Sequence, residues 1–208
     1  MSAPSAQSLP SIPPAAPDPD SAFGVDLNIN MSTIDQYLGR DDVFYVDARM
    51  MIDPADFPAV GGENRMRKLL RGFKVVSYPY LATLPPLPLE GTYKGDSLIS
   101  LSFDEQGRIA SCDFNYEESL LVIDDLFPKD KCIFIACGAG GYASFTKDLL
   151  IHLGWDASKL YNIGGVWSYT GPYTDEIIKL AKNEDEQSIY ATWRADYAYI
   201  DFDLLHEK

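Results

Sequence analysis

Residues 131–171 read KCIFIACGAGGYASFTKDLLIHLGWDASKLYNIGGVWSYTG, and the fold is decided there. Lys131 to Ala136 is a short apolar run of the kind buried in parallel sheets. Cys137 stands at its end, followed by Gly138-Ala139-Gly140-Gly141, a loop almost without side chains. From Ala143 to Leu153 the apolar spacing becomes helical, with Phe145, Leu149, Leu150 and Leu153 on one face. Gly154 is placed to end that helix. A second strand, Lys159 to Ile163, runs into a Gly164-Gly165 turn. Strand, helix, strand predicts an α/β fold with a central, mostly parallel sheet and helices on both faces. In such sheets ligands gather at the carboxyl ends of strands, where Cys137 lies.

The residues around Cys137 predict its chemistry. A glycine-rich loop lets backbone N–H groups turn inward, and the following helix adds the positive end of its dipole. Both favour thiolate over thiol, so Cys137 reads as a nucleophile with a pKa below the ~8.5 of a free cysteine. The competing reading is a small packing residue at a strand end.

Cys137-Gly138-Ala139-Gly140-Gly141-Tyr142-Ala143, a helix, and then Tyr161-Asn162-Ile163-Gly164-Gly165-Val166-Trp167 resemble the active-site half of the rhodanese (sulfurtransferase) domain. In that family the strand-end cysteine opens a short loop and carries a persulfide. The uncharged loop is most similar to the mercaptopyruvate sulfurtransferase type. Upstream, Phe44-Tyr45-Val46-Asp47-Ala48-Arg49 resembles the family's strand ending in Asp-x-Arg. Gly72 to Tyr80 resembles a degraded form of its Gly-His segment, with Phe73 in place of histidine. The resemblance covers roughly residues 32–171. It implies one rhodanese-like domain that passes sulfane sulfur from a small anionic donor to a thiol or cyanide through Cys137, without a cofactor. Gly138, Ala139, Gly140, Gly141 and Tyr142 would bind substrate through their amides. Arg49 would hold the donor's anionic end, since the loop has no cation of its own. The other reading of Arg49 is an ion pair with Asp53 or Asp56. Asp47 reads as tying the strand end to backbone donors.

Composition bounds the alternatives. The chain has 208 residues, 46% of them hydrophobic, enough for one globular domain with a real core. A net charge of −14 argues against nucleic acid or anionic membranes as partners. Three cysteines, Cys112, Cys132 and Cys137, do not make a disulfide framework; Cys112 and Cys132 read as packing residues. No stretch is long and apolar enough to span a bilayer, and no Cys/His pairing has metal-ligand spacing. Phosphate chemistry in a cysteine loop needs an arginine at the sixth position after the cysteine, where this chain has Ala143. A phosphatase is therefore disfavoured. The rival from another class is a non-catalytic binding or redox-sensing module built around the same thiol. His152 and His206 stand where neither suggests a Cys–His pair.

The remaining segments are read in chain order. Residues 1–22 are rich in Ser, Ala and Pro and read as a disordered leader before a domain spanning 23–208. Such a leader resembles the lipid-linked tether of an extracytoplasmic protein whose signal has been removed; the alternative is an ordinary flexible terminus of a cytoplasmic protein. Ser32 to Leu38 predicts a short capped helix. Asn64 to Arg71 predicts a basic helical piece that could steer an anion or simply be a solvated face. Pro85-Pro86-Leu87-Pro88 predicts a stiff connector. Residues 97–114 predict an inserted β-hairpin around a glycine turn, roofing the pocket or covering an edge. Tyr116 to Phe127 predicts an amphipathic helix, and Pro172 to Lys182 another. Tyr190 to Leu204 reads as a strand or a pocket rim.

Overall fold

The computed structural model describes residues 10–50, 67–83, 93, 95–182, 186, 188–192 and 196–208. In chain order the elements are β1 (Val43–Asp47), β2 (Lys68–Leu70), β3 (Lys74–Val75), α1 (Tyr78–Leu81), β4 (Ile99–Phe103) and β5 (Ile109–Phe114). There follow α2 (Ser119–Leu126), β6 (Cys132–Cys137), α3 (Gly141–His152), β7 (Leu160–Gly165), β8 (Thr174–Glu176), β9 (Ile178–Lys182), β10 (Ser188–Thr192) and β11 (Asp196–Tyr197).

Five strands form one parallel sheet in the order β11-β3-β1-β6-β7, giving a single α/β domain. β6 occupies an inner position because Ile133 to Ala136 are apolar on both faces and fully buried. Val46, Ile133, Ile135 and Cys137 pack with Ile123 and Leu126 of α2, Leu149 and Leu150 of α3, and Tyr78 and Leu81 of α1. Val43, Tyr45, Phe134, Ala136, Tyr161 and Ile163 pack with Ile29, Ile34 and Tyr37. The first cluster thus carries the α-helices, and the second a 3-10 turn at Ile34–Gln36. Each large aliphatic or aromatic side chain so covered contributes about 1.5–3 kcal/mol. These two layers hold the carboxyl ends of β1, β6 and β7 rigidly side by side.

Between β6 and β7 the register is regular from Ile133 opposite Leu160 to Ile135 opposite Asn162, and then skips Ile163. Gly164 follows with φ +92° and donates its N–H to Asn162 Oδ1 at 3.0 Å. The extra residue bends the strand beside the loop after Cys137.

The hairpin is present as β4 and β5, a two-stranded antiparallel sheet separate from the main one. Gly107 closes its turn at φ +75°, while Asp104 Oδ1 accepts from the N–H groups of Gln106 and Arg108. An open cleft of about 440 Å³ lies between this turn and α3, with Tyr78, Phe145 and His152 among its walls.

Three expectations are corrected. The stretch Pro172 to Lys182 is not a helix: β8 pairs antiparallel with β2, and β9 with β10. Arg67 to Arg71 is likewise strand and turn rather than helix, with residues 64–66 outside the described residues. Its cations face acids across the ladder, Arg67 to Glu176 at 2.9 Å and Arg71 to Asp175 at 3.4 Å, while Leu69, Leu70 and Ile177 are buried. Cross-strand charge pairs and a buried apolar side thus override helical spacing. Finally, the leader is docked from Pro10 onward. Arg40 Nη1 donates to Pro10 O, Tyr161 Oη to Pro13 O, and Ala15 N–H to Ser158 O. Ile12 and Ala15 join the second core cluster, an apolar gain that composition alone conceals. The Pro85–Pro88 connector lies outside the described residues. Of the tail from Tyr190 to Leu204, Tyr190 to Thr192 belong to β10, residues 193–195 lie outside the described residues, and β11 joins the sheet edge with Tyr199 exposed beyond it.

Candidate functional site

Cys137 ends β6, pairs with Gly165 in the ladder and is only 4% exposed. The chain then turns sharply, and Gly140, at φ +108°, sits immediately ahead of α3. That backbone conformation disfavours any residue with a Cβ. It directs the Gly140 N–H at Cys137 Sγ, 3.0 Å away. The Gly138 carbonyl turns elsewhere and accepts from Trp167 N–H at 3.2 Å. A Cβ on Gly138 would run into the Trp167 indole, and one on Gly165 into the Gly138 carbonyl. The glycines are therefore needed for close approach as well as for a turn.

The electrostatics differ from the expected low pKa. Burial pushes the Cys137 thiol up, and the Asp47 carboxylate adds to the rise. Hydrogen bonds from the amides of Ala143, Gly140 and Ala139 pull the other way. These three amides face the sulfur, but desolvation of an anion at a buried position outweighs them. Cys112 and Cys132 are free, half-buried thiols, each also pushed up by burial.

Arg49 is brought to the exit of β1 and buried at 3% exposure. Its Nε donates to Asp47 Oδ1 at 2.9 Å and Oδ2 at 3.0 Å; its Nη2 donates to Oδ2 at 2.6 Å and to the Lys68 carbonyl at 2.7 Å. Asp47, two residues away, is thus an acid that holds Arg49; Asp53 and Asp56, the partners read from the sequence, lie outside the described residues. Asp47 also accepts from the Arg49 backbone N–H at 3.1 Å, the backbone tie read from the sequence. Tyr142, on the first turn of α3, packs its ring against Tyr78 and Phe145. Of the loop residues singled out in the sequence, Ala139 and Gly140 turn their amides to the thiol, joined by Ala143; Gly138, Gly141 and Tyr142 share the loop and the first turn of α3, and Arg49 is ion-paired with Asp47 at the end of the neighbouring strand.

Sequence reading passed over several neighbours of the loop. Phe23 and Val25, just after the leader, lie against Gly140, Gly141 and Gly164. Asn162 is fully buried and joins the segment at Phe23 to the loop through its side chain. Lys147 on α3 is also buried; burial pushes its ammonium down, and the Asp26 carboxylate opposes this. An asparagine two residues before a glycine is a turn signal that could have flagged Asn162. Nothing local could have flagged Phe23, whose partners lie more than a hundred residues away.

Among the described residues, no group of three or more His, Cys, Asp or Glu side chains could hold a metal ion. None of the described helices is long and apolar enough to cross a membrane. Comparison with family models, curated proteins and solved structures gave no match.

Proposed function

We propose that the chain is a rhodanese-like sulfurtransferase that carries sulfane sulfur on Cys137. The observation that carries this reading is the Gly140 N–H aimed at Cys137 Sγ at 3.0 Å, from a glycine loop between a central parallel strand and a helix. Backbone donors fixed on a sulfur stabilise negative charge there without reorganising, as an oxyanion hole does. In the proposed reaction the Cys137 thiolate attacks the outer sulfur of a small anionic donor such as thiosulfate. The Cys137 S–S bond forms, the donor's sulfur bond breaks, and sulfite leaves with the electron pair. An acceptor thiolate then attacks the terminal sulfur, and Cys137 regains its electron pair as thiolate. Each half-reaction leaves charge on a sulfur at the cradle.

A second reading is favoured by a specific observation. Cys137 is only 4% exposed, and Arg49 is engaged by Asp47. A closed thiol beside an occupied cation lacks the open anion site that turnover of a charged donor needs, which suits the non-catalytic binding or sensing module. Intact mass spectrometry after incubation with thiosulfate or mercaptopyruvate separates the readings. The sulfurtransferase gains one sulfur atom, loses it to a dithiol, and does neither as Cys137→Ser. Absence of the adduct in the unaltered protein overturns the proposal; an adduct that no thiol removes favours the sensor.

A further inference from the structure

We infer that Asn162 is a positioning residue for Cys137, acting through the Gly140 peptide. Asn162 lies on the bulged part of β7 and is fully buried. Its Nδ2 donates to the Gly140 carbonyl at 3.0 Å and to the Phe23 carbonyl at 2.7 Å, while its Oδ1 accepts from Gly164 N–H at 3.0 Å. The two carbonyls and the single N–H fix which end of the amide is which. Its backbone carbonyl also accepts from Asp26 N–H at 2.8 Å.

The consequence for the thiol follows from the geometry of one residue. With the Gly140 carbonyl anchored on Asn162, and also accepting from Ser144 N–H at 3.0 Å, the residue is fixed at the φ that sends its own N–H to Cys137 Sγ. Glycine has access to other conformations at low cost, so an unanchored Gly140 would not keep that N–H on the sulfur. The same side chain clips the segment at Phe23, because Phe23 and Val25 pack against the loop with the backbone held through Phe23 O. One buried amide therefore ties strand, loop and the Phe23 segment together beside the cysteine. Sulfur transfer gives this arrangement its purpose and rests on the reading above, but the effect on the thiol does not depend on turnover.

The test is the pH profile of Cys137 alkylation by iodoacetamide in a Cys112→Ser, Cys132→Ser background. Asn162→Leu keeps most of the volume without the donors, and Asn162→Ala removes both; neither adds a charge. Either variant is expected to raise the apparent thiol pKa by about one unit, equivalent to about a tenfold loss of rate on the acid side. Mere loosening of the loop would raise the alkaline plateau and leave the midpoint in place. A midpoint that does not move in a folded variant overturns the inference. The unaltered protein provides a second measurement by NMR. The Gly140 amide and the Asn162 side-chain amide should shift together on alkylation of Cys137, and the Asn162 amide protons should exchange slowly. Exchange as fast as in an exposed asparagine also overturns it. Failure to form a persulfide would refute the sulfurtransferase while leaving this result standing.

Discussion

Replacing Arg49 with alanine tests the site and the fold together. The guanidinium has three contacts of 3.0 Å or less with Asp47 and a fourth with the Lys68 carbonyl, and the two side chains are 3% and 0% exposed. Removing one partner of a buried pair leaves the other charge desolvated, which costs about 3–5 kcal/mol. For a chain of this size each kcal/mol lowers Tm by roughly 2–4 °C, so Arg49→Ala should melt about 6–20 °C below the parent. The double change Asp47→Ala, Arg49→Met removes both charges and should recover much of that loss. Circular dichroism melts of the three proteins provide the comparison. A single variant that melts within about 2 °C of the parent would mean the pair is not desolvated, and the account of β1's exit would fail. The same variant bears on substrate binding. If Asp47 keeps Arg49 fully occupied, saturation by thiosulfate should be unchanged in whatever fraction remains folded; a loss of saturation would restore the anion-binding role read from the sequence.

Other outcomes follow from the loop. Gly165→Ala would place a Cβ on the Gly138 carbonyl and the Ala139 Cα, which are backbone and cannot swing aside; a loss of about 1–3 kcal/mol in urea unfolding is expected. Alkaline pH should destabilise the parent more than Cys137→Ala. The folded thiol is raised, so its stabilising contribution is present below the unfolded value near 8.5 and is lost as pH climbs toward the folded one. Equal alkaline losses in urea midpoints for the two proteins would contradict the burial of Cys137.

The legible part of this chain was the part whose signals are local. β6, the glycine loop, α3 and β7 follow one another within a few dozen residues, each with its own periodicity or glycine, and all four appear where the pattern put them. The hairpin was readable for the same reason, since Gly107 and Asp104 write their own turn. The segment after Gly171 failed because β8 owes its form to β2, a hundred residues earlier, where the flanking Arg67 and Arg71 face its Glu176 and Asp175. The leader failed because proline-rich composition hides what its carbonyls can do: Pro10 and Pro13 contribute backbone acceptors, and Ile12 its apolar side chain. At the site, the loop's identity was legible and its electrostatics were not. The glycines announce inward amides, but they do not announce the burial of Cys137 or the side chains that lie against the loop, Trp167 and, from more than a hundred residues away, Phe23 and Val25.

The sheet's outermost strand carries a consequence for how the chain must be made. β3 is only two residues long, and what lies beyond it is Asp196–Tyr197, with Ala198 N–H bonded to Val75 O at 2.8 Å. That margin of the sheet therefore stays open until residues 196–198 have left the ribosome. A transcript cut short before Asp196 would leave Lys74 and Val75 without the strand that pairs with them, an edge too short to template a second copy.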